Sequence, residues 1–315
     1  MPRASIIVNT YNKPEYLRLV LAALCVQTER DFEVIVGDDG SRPETEAMLR
    51  ELQSEGLPFE LKYHWQEDDG FRPGEARNGA IRLATADWLI FLDGDMVVHR
   101  RFVESHLRLA GDNRLLFGGR VKLTQAFSES ITPEDILGRG ITSLYYRNYF
   151  RSREARYAPV YAKLSDRVTD TAIQWVGGTY LGTPVLFSDA MARLLPRSTA
   201  RELCFKSGSN FSTSRASIVA VNGFDKRFSG LSGEDGELFW RLHNLGVEPR
   251  SVLFTAIGYH LWHNENWQRV GEERDRALAL ERETIDESKT RCADGLVPLT
   301  QSEEREAPAN SELGS

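Results

Sequence analysis

Short apolar runs alternate along the first part of the chain with stretches in which apolar residues recur every three or four positions. Ser5-Ile6-Ile7-Val8-Asn9-Thr10, Phe32 to Gly37, Glu60 to Trp65 and Trp88 to Leu92 have the length and β-branched or aromatic content of strands. Between the first two, Leu17, Val20, Leu21 and Leu24 fall at i, i+3, i+4 and i+7, which predicts one apolar helix stripe against a sheet. Asn12 with Glu15 three residues later reads as its N-cap. Pro43 to Glu55 and the small-residue stretch Glu75 to Ala84 complete the alternation. Strands spaced in this way by helices predict βαβ units and a mostly parallel sheet flanked by helices, an α/β fold.

The second part has a looser pattern. Ala172 to Ser188 and Ser217 to Val221 read as strands, the latter closed by the turn Asn222-Gly223-Phe224-Asp225. Glu234 to Leu245 carries Leu238, Phe239 and Leu242 at helical spacing with Gly246 as its stop, and Ser251 to Tyr259 is a last strand running into His260-Leu261-Trp262-His263. Glu272 to Thr290 is a mixed-charge helix, and Gln301 to Ser315 is acidic, polar and expected to be disordered. The divisions that follow are 1–120, 121–265, a C-terminal helix in 266–295, and a tail over 296–315. Gly208-Ser209-Asn210-Phe211-Ser212 is expected as a loop.

Composition narrows the class. With 315 residues, 41% of them hydrophobic, the chain can bury a large core. A net charge of -7 gives no global basic footprint for nucleic acid. The one local basic patch is 138–167, where Arg139, Arg147, Arg151, Arg153 and Arg156 interleave with tyrosines; contact with a nucleic acid strand, peripheral contact with a membrane surface, an acceptor or ordinary surface packing are the readings open for it. Cys25, Cys204 and Cys292 show neither a disulfide framework nor a metal spacing. No signal peptide or apolar span is visible, so a cytoplasmic protein is expected.

Candidate chemistry collects where strands end: Asp38-Asp39, Asp93-Gly94-Asp95, Gly233-Glu234-Asp235, and His260 with His263. In open α/β sheets ligands bind beyond the carboxyl ends of the strands. Carboxylates joined by neutral imidazoles suit Mn²⁺ or Mg²⁺. Each piece also has a plainer reading: an Asp-Gly turn at 93–95, first-turn acids stabilising a helix N-terminus at Glu234 and Asp235. The chain has no Gly-rich Lys-bearing P-loop and no G-x-G-x-x-G after its first strand.

Val8-Asn9-Thr10-Tyr11-Asn12, Asp38-Asp39-Gly40-Ser41 and Asp93-Gly94-Asp95, in this order, resemble the family 2 glycosyltransferases of the GT-A fold. Asn222 through Gly233-Glu234-Asp235 to His263 resembles the C-terminal half of beta-1,4-galactosyltransferases and of bacterial chondroitin-type polymerases. The resemblance implies an inverting, metal-dependent transferase whose C-terminal half binds the acceptor. It implies a nucleotide-sugar site at Thr10, Tyr11, Asn12, Asp39, Asp93 and Gly94, with Thr10 and Tyr11 at a uracil, and Arg72, Arg77 and Asn78 toward the diphosphate and sugar. Asp95 is the implied metal ligand, joined by His260, His263 or both. Glu234 holds an acceptor hydroxyl and Asp235 is the base. A UDP-sugar donor (galactose, N-acetylgalactosamine or N-acetylglucosamine) and a saccharide acceptor are the expected partners. The rivals are a metal-dependent nucleotidyltransferase and a catalytically silent binding module using 138–167.

Overall fold

The computed structural model describes residues 1–145, 175–177, 184–186, 208–230, 233–264 and 272–297. In chain order the elements are β1 (Ala4–Thr10), α1 (Pro14–Cys25), β2 (Phe32–Asp38), α2 (Pro43–Glu55), β3 (Glu60–Trp65), α3 (Pro73–Leu83), β4 (Trp88–Asp93), β5 (Met96–Val98), α4 (Phe102–Leu109), β6 (Arg114–Lys122), α5 (Gln125–Ser130) and α6 (Pro133–Arg139). They continue with a small hairpin, β7 (Trp175–Gly177) and β8 (Pro184–Leu186), then β9 (Asn210–Ser214), α7 (Arg215–Ala220), α8 (Glu234–Asn244), β10 (Glu248–His260) and α9 (Glu272–Asp286).

Eight strands form one sheet in the order β3-β2-β1-β4-β9-β6-β10-β5. β1 to β4 pair in parallel, as the alternation predicts. Beyond β4 the sheet is mixed: β9 runs antiparallel to both its neighbours, β6 and β10 are parallel, and β5 is antiparallel to β10. Side chains leave a strand on alternate faces, so each central strand supplies two cores. Ile6, Val8, Val34, Val36, Ile90 and Leu92 pack with α1 and α2, whereas Ile7, Ile35, Leu89 and Phe91 pack with α3, α7 and α8. Phe91, Phe211 and Phe239 link the second core across β4, β9 and α8, with ring centroids 4.5 and 4.9 Å apart.

Four expectations are corrected. Asn210-Phe211-Ser212 is not a loop but the start of a central strand, because its polar side chains find buried partners: Asn210 donates to the carbonyls of Gly119 and Ala256 at 3.0 Å, and the His106 ring meets Asn210 Oδ1 and Ser212 Oγ at 3.0 and 2.8 Å. Ser217 to Val221 lies in α7 and the turn after it, where Ser214 Oγ caps the helix by accepting from Ser217 N–H. Asn12 is not the cap of α1; it sits at φ 50° and its side-chain oxygen accepts from Arg42 N–H at 2.9 Å, while Lys13 takes the cap position ahead of Pro14. α9 ends at Asp286, and the chain then returns to the core: Leu296 is buried and its N–H donates to Asn222 O at 2.8 Å. The rest of the tail, 298–315, and most of 138–167 lie outside the described residues. Among the described residues no helix is long and apolar enough to cross a membrane.

Candidate active site and metal centre

Sheet pairing explains how distant polar residues meet. β4 ends at Asp93, and Gly94 N–H donates to Asn9 O at 2.7 Å, a close approach that would place a Cβ at residue 94 only 2.7 Å from that carbonyl. The chain turns at once into β5, whose Met96 pairs with His260 at the end of β10. Leu261 N–H donates to Asp95 O at 2.9 Å. Asp95 therefore sits in the turn that leads into β5, next to both histidines, although they are far apart in sequence.

One ligand atom from each of Asp95, His260 and His263 lies within 4.8 Å of the other two. His263 Nε2 is 3.0 Å from Asp95 Oδ2 and His260 Nε2 is 3.6 Å from Oδ1. Burial pushes the Asp95 carboxyl up, but His263, His260 and Lys13 together hold it below the usual range. Asp95 Oδ1 is buried with no hydrogen-bond partner among the described residues. A buried carboxylate oxygen without a hydrogen-bond partner, in a cluster with two imidazoles, fits a divalent cation. Both histidines enter the cluster, so the geometry does not choose between them. Lys13, which sequence reasoning passed over, places Nζ 3.6 Å from Asp95 Oδ2; a cation three residues past the end of β1 was the available signal.

Asp93 and Glu234 are joined by Arg77. The guanidinium donates to Asp93 Oδ1 at 3.0 Å and to Glu234 Oε1 at 2.7 Å, over the Phe224 ring at 5.3 Å. Arg77 is buried. Glu234 Oε2 accepts from Gly233 N–H at 2.9 Å, and Gly233, at φ 107°, starts α8. Asp235 follows in the first turn; burial, then the neighbouring Glu234, push its carboxyl up to about 6, against the pull of Arg77. A Cβ on Gly208 would lie 1.5 Å from Asp235 Oδ2, so this glycine makes room for that carboxylate, a role invisible without the fold.

The remaining expected residues surround β1 and α3. Asp38 accepts from Ser41 N–H at 2.8 Å and from Tyr63 OH at 2.7 Å. Asp39 accepts from Arg72 N–H at 2.7 Å and Gln66 Nε2 at 2.6 Å, and burial raises it to about 6. Thr10 is buried with its hydroxyl unpartnered among the described residues, and Tyr11 is exposed, donating to Asp68 at 3.0 Å. The Arg72 guanidinium turns to Glu67 O at 2.5 Å. Asn78 is fully buried and both ends of its amide are taken by the Phe224 backbone, at 2.8 and 2.9 Å. It therefore positions the turn ahead of Glu234 rather than presenting a free amide.

A mixed sheet flanked by helices, with carboxylates and imidazoles gathered at its rim, defines a GT-A-like α/β fold. The chain belongs to glycosyl transferase family 2, whose model matches residues 5–173. It is similar to the chondroitin synthase of Pasteurella multocida (36% identical over 81% of this chain and 24% of that one) and to that of Escherichia coli (28%, over 81% and 34%). It is also similar to the validoxylamine A glucosyltransferase of Streptomyces hygroscopicus subsp. jinggangensis (29%, over 89% and 59%). The chain thus spans less than two thirds of each of these relatives. Among solved structures, S. aureus TarS 1–349 in complex with UDP-GlcNAc aligns at a TM-score of 0.56 with 18% identity, covering 90% of this chain and 66% of that one. The mannosyltransferase PcManGT from Pyrobaculum calidifontis, in complex with GDP-Man and Mn²⁺, aligns at 0.53 with 16% identity, covering 91% and 64%. At these identities the structures share the fold.

Proposed function

We propose that the chain transfers a monosaccharide from a UDP-sugar to a hydroxyl of a saccharide acceptor, with inversion at the anomeric carbon. The observation that carries this reading is the convergence of Asp95, His260 and His263 beside a second carboxylate set, Asp93, Glu234 and Asp235, gathered around Arg77. A divalent ion held by Asp95, His260 and His263, Mn²⁺ ahead of Mg²⁺ given the imidazoles, would offset the charge on the departing nucleoside diphosphate. Thr10, Tyr11, Asn12, Asp39 and Gly94 border the nucleotide, where the unpartnered Asn9 Oδ1 and Thr10 Oγ1 leave polar atoms to meet it. Asp93 faces the ribose and donor sugar. Asp235 takes the proton of the acceptor hydroxyl as that oxygen attacks, and Glu234 orients the hydroxyl. A single base suffices for a single displacement.

Galactose, N-acetylgalactosamine and N-acetylglucosamine are the first donors to test, and the glucosyltransferase among the relatives adds glucose. Asp235→Asn should lower transfer by about 10²–10⁴-fold while calorimetric UDP affinity with Mn²⁺ stays unchanged. A variant that retains full activity rejects the assignment. Release of pyrophosphate instead of UDP would identify a nucleotidyltransferase, and absence of both from a UDP-sugar screen would favour a binding module.

A further inference from the structure

Arg77 is in an unusual position for a residue of a donor site. It lies on α3, is buried, and its two terminal nitrogens go to carboxylates from different parts of the chain: Asp93 at the end of β4 and Glu234 at the start of α8. The next residue, Asn78, clamps the Phe224 backbone from both sides, so one helical step fixes both the approach to α8 and its first acid. Asp235 also acts on Arg77 through its charge. Charged groups facing this guanidinium are thus Asp93, at the end of β4, and Glu234 and Asp235, at the start of α8.

We infer that Arg77 is a positioning residue that couples the two substrates: occupancy of the nucleotide side at Asp93 is transmitted through its guanidinium to Glu234 on the acceptor side. This rests on the nucleotide-sugar reading above. The physical reason is that one cation shared between two carboxylates cannot tighten on one without loosening on the other. Coupling of this kind is reciprocal, so a change at Glu234 must be felt by a ligand that never touches it.

The test is a double-mutant cycle read by calorimetric binding of UDP in the presence of Mn²⁺ to the whole chain. Glu234→Gln releases Arg77 to Asp93, where it competes with the ligand for that carboxylate, and should weaken UDP binding by a factor of about 3 or more. In an Arg77→Met background the same Glu234→Gln change should have no measurable effect. Melting curves establish that each variant is folded; should Arg77→Met fail to fold, Arg77→Gln, which keeps hydrogen-bond donors but carries no charge, takes its place under the same criterion. An unaltered affinity in Glu234→Gln, or an equal change in both backgrounds, overturns the coupling and leaves the nucleotide-sugar reading standing. Failure of the unmodified protein to bind UDP with Mn²⁺ removes that reading and the coupling with it.

Discussion

Arg241 and Arg77 are both buried against carboxylates, and their donors are distributed differently. Arg241 makes a two-pronged pair with Glu237, one turn earlier on α8, with both bonds at 2.7 Å, and its remaining nitrogen donates to the Val221 and Gly223 carbonyls at 2.5 and 2.7 Å. Thr284 from α9 closes the set on Glu237 Oε1 at 2.8 Å. All these partners belong to one layer of the fold. Arg77 instead divides its donors between β4 and α8, and one of its partners, the Asp93 side chain, is 32% exposed toward the cleft. A closed set of this sort returns every charge to fixed protein groups and serves stability. A divided set keeps one carboxylate within reach of a ligand and serves the site.

The contrast breaks first on stability. Arg241→Met leaves Glu237 buried without its cation and should cost about 3–5 kcal/mol. Arg77→Met should cost less, about 1–3 kcal/mol, because, of the two carboxylates it leaves, Glu234 keeps the Gly233 N–H and Asp93 is partly open to water and recovers hydration. Urea unfolding of both variants measures the difference, and equal costs would end the distinction. Glu33 extends the closed type to an acid. Burial pushes its carboxyl up, but Lys62, Ser5 and Thr85 outweigh this and hold it at about 2. Since the folded value is lowered, its contribution, on the order of 2–3 kcal/mol, is present above pH ~4.5 and is lost as pH falls toward 2. Glu33→Gln should therefore weaken the protein at neutral pH and flatten its acid unfolding curve.

The divided set predicts a pH effect on rate instead. Asp235 must be ionised to accept a proton, and with its carboxyl raised to about 6, transfer should fall on the acid side of that value, by about tenfold per pH unit, with the fold intact by circular dichroism. The smallest expected change is Thr284→Val, which removes one neutral donor from the closed set and should cost about 1 kcal/mol without altering UDP affinity.

What the sequence made legible follows the same line. The parallel strands and the Asp93-Gly94-Asp95 turn could be read because apolar periodicity is local and strand ends in α/β sheets are where polar groups collect. His260 and His263 were legible for that reason too. β9 was not, since Asn210, Ser212 and Thr213 look like loop residues until His106, Gly119, Ala256 and Arg114 are brought to them by α4, β6 and β10. Arg77 could be placed on a helix but not between its two carboxylates, and Gly208 carries no side chain to signal that it borders Asp235. Pairing across long separations decides all of these, and no window of sequence contains it.

The place of β9 also bears on how the molecule is made. A ribosome delivers β4 and β6 well before residue 210, yet in the finished sheet these two strands are separated by β9 and do not pair with each other. A nascent chain must hold that seam open, or reopen it, until the intervening strand emerges, and it cannot assemble the ion cluster before residue 263 is out. A translation product that stops before His260 lacks both imidazoles and cannot complete the cluster they form with Asp95.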